Sequence, residues 1–324
     1  MTSSDNNTNS DHYDDGSDNF VMHPMRVMSP PRIHPAAPMR AHSVHLGTLD
    51  ENFHGLIEVP DTLAARVKSG DVVLVNGWRL DDEFILADFF GEIRDAVPWH
   101  RVRIGSIPKG VICDVGECAA RQILQLIDEE IANPVVAQAV HAQLARSDFY
   151  GDFFAAPASS MAHHDFPGGL ALHSLECALI VARMPRSSFT NAIGRDIALA
   201  AALLHDIGKV EYVQGGYCCH GTGHETRTVA LLGPILHWLR ENEDSSVAEL
   251  LLYLLSQDGK APHGSCPEAI AVRFADRMSA TANASQQAFA SAPRHFKYAK
   301  RKLGGPLADK TYYRALESHQ YAAE

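Results

Sequence analysis

The sequence has no run of eighteen apolar residues, so no segment reads as a membrane span. It also has no basic stretch followed by an apolar one, so no secretory leader is expected. Cysteine is sparse. The six residues, at 113, 118, 177, 218, 219 and 266, lack the spacing of a disulfide scaffold, and this fits a reducing, cytoplasmic setting. The first twenty-five residues contain no Lys or Arg, only Asp5, Asp11, Asp14, Asp15 and Asp18. Between 294 and 314 the imbalance reverses, with Asp309 alone against Arg294, Lys297, Lys300, Arg301, Lys302, Lys310 and Arg314. The formal net charge of −11 therefore averages two opposite ends. It does not exclude a polyanionic partner, because local charge decides that.

What is present is a chain of 324 residues, 46% of them apolar, long enough for two domains or one large one. Residues 1–40 read as a disordered acidic tail followed by a Pro- and Met-rich linker, "HPMRVMSPPRIHPAAPMR". From 43 to 112 Val, Ile, Leu and aromatics predominate. "DVVLVNGWRL" and "EFILADF" read as a hairpin within a small β-rich, OB-like module. Such barrels can guide a single strand, and Trp78, Phe84, Phe89 and Phe90 are candidate stacking residues. Residues 117–292 read as an all-α domain, making the fold mainly α. In its first helix Ile123, Leu126, Ile127 and Ile131 share a face, and Pro134 opens the next. The basic segment 293–324 begins "RHFKYAKRK", either a phosphate-contacting stretch with interleaved aromatics or a solvated helix face.

Eight apolar residues, Ile197 to Leu204, run directly into His205-Asp206-Ile207-Gly208-Lys209. A carboxylate at the end of a buried helix is costly unless it is paired or binds a metal. His173 lies in an earlier helix and Asp276 in a later one, and ligands from three helices can converge in a bundle interior. A mixed His/Asp set suits Mn, Fe, Zn or Mg. Adjacent residues on a regular helix point about 100° apart, and Gly208 offers a break that would let 205 and 206 serve one ion.

The pattern "HSLECA … LLHDIGK … FADRM" resembles the HD phosphohydrolase superfamily, with ligands in the order H…HD…D. "FFAAPASSMAHHDFPGGLALHSLECAL" and "HGSCPEAIAVRFADRMSA" further resemble 3′–5′ exoribonucleases of the YhaM type, in which an OB module precedes the HD domain. The resemblance covers roughly residues 45–285 and is strongest over 153–209. It implies His173, His205, Asp206 and Asp276 as ligands of a divalent metal, manganese first, with Mg, Fe, Zn or Ni as alternatives. Lys209 would contact phosphate or support Asp206, and His163 and His164 would face the site. Two-metal members use two further histidines. His224 takes the first such place, but "LSQDGK" puts Gln257 and Asp258 where a His pair is expected. Asp258 is then the second-site candidate, with His220, His237 and His263 as substitutes. Cys218-Cys219-His220 has no zinc spacing.

The implied reaction is phosphodiester hydrolysis by a metal-activated water, with Asp206 and Lys209 as catalytic residues. The expected substrate is single-stranded RNA or DNA. His163, His164, Lys209, Arg294, Lys297, Lys300 and Arg301 are the candidate substrate contacts. Two alternatives stand. HD relaxases of conjugative elements share the "PAS…HH…GGL…HSLE" pattern, and Ser159 fits them at least as well. The other is a nucleotide phosphohydrolase or non-catalytic binding module. A homo-oligomer is a further expectation; a membrane partner is not.

Overall fold

In the computed structural model the described residues are 19–34, 41–57, 59–79, 84–86, 96–160, 162–210, 223–256, 266–301 and 309–314. Asp258, His220, His263, Phe89 and Phe90 lie outside them.

Strands β1 (Asn19–Ile33), β2 (His42–Gly47), β3 (Asn52–Ile57), β4 (Val72–Arg79) and β5 (Phe84–Leu86) close a barrel in the order β1-β2-β3-β5-β4. β4 and β5 pair antiparallel, as the hairpin reading expects, while β3 and β5 run parallel. A short helix, α1 (Asp61–Ala64), links β3 to β4. Met25, Val27, Val44, Leu46, Phe53, Ile57, Val73 and Val75 fill the interior. Trp78 and Phe84 lie on adjoining strands.

The stretch 19–33 corrects the reading of residues 1–40 as tail and linker, because it is the strand that closes the barrel against both β2 and β4. Proline is excluded from regular central strands. Here the register with β2 shifts between Val27 and Ser29 and again between Ser29 and Arg32, spanning Pro30-Pro31. Met25 and Val27 are each 1% exposed. Arg26 between them is also buried, donating to the carbonyls of Ser106, Gly70 and Ala145 at 3.1, 2.9 and 2.6 Å. Those bonds tie the barrel to the helical part, and the guanidinium also lies over the Tyr150 ring.

The helices are α2 (Asp114–Glu130), α3 (Pro134–Leu144), α4 (Tyr150–Phe153), α5 (Gly169–Ala182), α6 (Ala192–Leu204), α7 (His224–Asn242), α8 (Ser245–Leu255) and α9 (Pro267–Phe289). Asn133, Asn191 and Asp244 cap α3, α6 and α8 through side-chain acceptors. α6 is buried continuously from Gly194 to Leu204. Its alanines admit α5, α8 and α9 against it, and Arg195 there donates to the Glu130 and Ala182 carbonyls. The mainly-α architecture with a small β-barrel at its N-terminal end therefore stands. After α9 the chain makes a two-stranded antiparallel hairpin, β6 (Tyr298–Arg301) and β7 (Lys310–Tyr313), so the basic segment is not a helix face.

Candidate metal and active site

α5, α6 and α9 each deliver part of one cluster. His173 Nε2 lies 3.5 Å from Asp206 Oδ2 and 3.3 Å from Asp276 Oδ1. His205 Nε2 lies 3.3 Å from Asp206 Oδ2 and 3.8 Å from Asp276 Oδ1. His173, His205 and Asp206 are at most 2% exposed, and α6 ends at Leu204, leaving His205 and Asp206 in a turn.

Gly208 serves a purpose other than a helix break. A Cβ there would stand 2.2 Å from the His224 carbonyl and 2.6 Å from the Thr228 amide nitrogen. Glycine thus lets the first turn of α7 press onto the His-Asp turn. Thr228, fully buried, accepts from the Gly208 amide and donates to the His205 carbonyl. The same approach brings His224 Nε2 to 3.1 Å from Asp206 Oδ1. Asp206 therefore shows one oxygen to the His173–His205–Asp276 group and the other to His224.

The electrostatics match a cation site. Burial favours the neutral acid of Asp206, but the His205 and Lys209 charges outweigh it and hold the carboxyl well below the usual range. Burial also opposes charge on Lys209, and Asp206, at 2.6 Å, outweighs this and raises the ammonium's pKa. At Asp276 burial is outweighed by the neighbouring His173 and His205 imidazoles, again lowering the pKa. For His205, burial is overcome by Asp206 and then Asp276, and the imidazole is held up to about 9. His205 Nδ1 donates to the Ala202 carbonyl at 2.9 Å, and among the described residues its buried Nε2 has no hydrogen-bond partner. An orphaned ring nitrogen facing two carboxylates fits a divalent cation, and the His/Asp donor set favours a hard or borderline one.

His163 and His164 sit on a loop behind His173, their rings 5.0 and 5.3 Å from its ring. His164 has a positive φ of 46°, and Gly169 is required beneath it because a Cβ would meet the His164 carbonyl at 2.1 Å. Burial, then His173 and Lys209, lower the His163 pKa to about 4. Ser159 Oγ accepts from the Ala162 and His163 amides and donates to the His163 carbonyl. The residue that matched the relaxase pattern thus closes this loop.

Other sequence candidates fall elsewhere. His237 is on the outer face of α7 beside Glu241, away from the cluster. Arg301 is committed to the histidine loop, bonding the Ala162 carbonyl and lying 3.3 Å from Asp165. Lys297 and Lys300 are exposed on the terminal hairpin and its approach, as is Arg294. Sequence reasoning overlooked Cys177, whose sulfur lies 3.8 Å from His173 Nε2 and whose ligand atom groups with those of His173, His205 and Asp276. Burial and then the carboxylates push its thiol pKa up, so it is a neutral neighbour. Its spacing, one turn past His173, was the available signal.

Residues 170–281 match the HD domain family. The chain is 31% identical over 142 residues to a 3′–5′ exoribonuclease YhaM of Oceanobacillus iheyensis, covering 42% of this chain and 43% of that protein. Identity is 29% over 191 residues with the Listeria welshimeri YhaM, 57% and 58% of the two chains. With the Bacillus subtilis YhaM it is 26% over 171 residues, 49% and 52%. The chain spans about half the length of the curated relatives it matches. No solved structure matches it. Among the described residues no helix is long and apolar enough to cross a membrane. The helical region thus matches the HD domain family over residues 170–281, in a chain similar over about half its length to 3′–5′ exoribonucleases of the YhaM type.

Proposed function

We propose that the protein is a metal-dependent phosphodiesterase that shortens single-stranded RNA, and DNA as a second substrate, from the 3′ end. The observation that carries this is the meeting of His173, His205, Asp206 and Asp276 from three helices, with the His205 ring nitrogen left for a cation. Those four residues would hold the ion, manganese being the first choice, with His224 and Asp258 proposed for a second. When bound, such a cation supplies Lewis acidity toward a phosphoryl oxygen and a water activated near neutral pH.

The chain's own groups do the rest. Lys209, largely buried against Asp206, places a fixed positive charge where phosphoryl oxygens arrive. His163, neutral because of its lowered pKa, can accept a hydrogen bond from substrate or water. The exoribonuclease activity named for the relatives, the OB-like barrel and the exposed Lys297 and Lys300 support a single-stranded nucleic acid as substrate.

The test is digestion of 5′-labelled single-stranded RNA and matching DNA with Mn²⁺, with Mg²⁺ and with chelator, beside Asp206→Ala. A ladder shortening from the 3′ end, metal-dependent and absent in the variant, is expected. Intact substrate under every metal condition would sink the exonuclease reading, and a single nick at a defined site would favour the relaxase alternative.

A further inference from the structure

Two polar residues behind the cluster belong to none of the ligand sets above. Glu176 stands on α5 one turn beyond His173, and Ser279 on α9 one turn beyond Asp276. The Ser279 hydroxyl donates to Glu176 Oε2 at 2.6 Å, and His173 Nδ1 lies 2.9 Å from the same hydroxyl oxygen. An ionised carboxylate only accepts, and a hydroxyl has one proton to give. With that proton spent on Glu176, the serine oxygen must accept, so His173 carries its hydrogen on Nδ1. The lone pair stays on Nε2, the atom facing Asp206 and Asp276.

The same carboxylate oxygen lies 3.1 Å from His164 Nε2. His164 is fully buried, and its backbone amide donates to Asn283 on α9. Donation from Nε2 leaves a lone pair on His164 Nδ1, which is 3.4 Å from His163 Nδ1. His163 then donates from Nδ1 and keeps Nε2 unprotonated. One carboxylate oxygen thus orders the protons of three imidazoles whose ligand atoms group together.

We propose that Glu176 is a positioning residue: through Ser279 it fixes the His173 tautomer that offers Nε2 to a cation, and through His164 it fixes the His163 tautomer with Nε2 free. Partners of this kind commonly change metal affinity 10–100-fold when removed. The proposal rests on the metal-site reading above, and its test separates the two.

Titration calorimetry with Mn²⁺ on the full chain, on Ser279→Ala and on Glu176→Ala is paired with ¹⁵N-NMR of the histidine rings. Roughly 10–100-fold weaker Mn²⁺ binding is expected in both variants. The His173 hydrogen should leave Nδ1 in both, whereas the His163 tautomer should change in Glu176→Ala alone. Unchanged affinity with unchanged tautomers in Ser279→Ala would overturn the role. Should Glu176→Ala not fold, Ser279→Ala carries the test. If the wild-type chain binds no Mn²⁺, the metal-site reading fails instead, and the ring tautomers still decide whether Glu176 orders them.

Discussion

At the scale of single residues, the His-Asp turn depends on what a glycine omits. Gly208 is not among the residues with positive φ, so its requirement is space, not backbone freedom. Gly208→Ala would put a methyl group against the His224 carbonyl and the Thr228 amide. Since neither contact is a flexible side-chain end, α7 must shift. The expected cost is about 1–3 kcal/mol, the range for overpacking, with His224 drawn away from Asp206. Urea unfolding reads the first effect, and the His224 ring resonances on titrating Mn²⁺ read the second. An alanine variant with wild-type stability and wild-type His224 response would contradict this reading. His205 Nε2 belongs to the same scale, because folding buries it facing the carboxylates of Asp206 and Asp276.

Among elements, what the sequence reveals depends on how local the determinants are. α6 is legible because eight apolar residues in succession, followed by His-Asp, announce a buried helix ending at a charged turn. The ligand candidates follow from that and from the order of the motif. β1 is not legible. Its prolines mimic a linker, and its place depends on carbonyls of Gly70, Ser106 and Ala145, far along the chain, that satisfy Arg26. The terminal hairpin escapes for a similar reason, with Arg301 tied to Ala162 and Arg314 to the carbonyls of Pro293, Arg294 and Phe296. Glu176 and Ser279 carried a signal that went unread, since each lies three residues past a ligand candidate and so on the same helix face. Arg26→Met tests the β1 account. It leaves three carbonyls without their donor and should cost on the order of 3 kcal/mol, measured by urea unfolding. A loss below about 0.5 kcal/mol, typical of unremarkable surface substitutions, would show that Arg26 does not fasten the barrel.

Across the whole molecule, a five-stranded barrel and a helical domain are joined through a buried arginine, and the HD match falls entirely in the helical part. α5, α6 and α9 bring their ligands to one point because they pack on one another. The histidine loop is pinned from one side by Glu176 and from the other by Arg301, so the rear of the site is braced. Charge is distributed to match, with buried Asp206 and half-buried Asp276 at the centre and exposed Lys297 and Lys300 toward the C-terminal end. Anomalous diffraction from crystals soaked in Mn²⁺ tests the central claim most directly. A manganese peak bounded by His173 Nε2, His205 Nε2 and the carboxylates of Asp206 and Asp276, lost in Asp206→Ala, is expected. A soaked crystal with no peak there, or with its peak elsewhere, would contradict that claim.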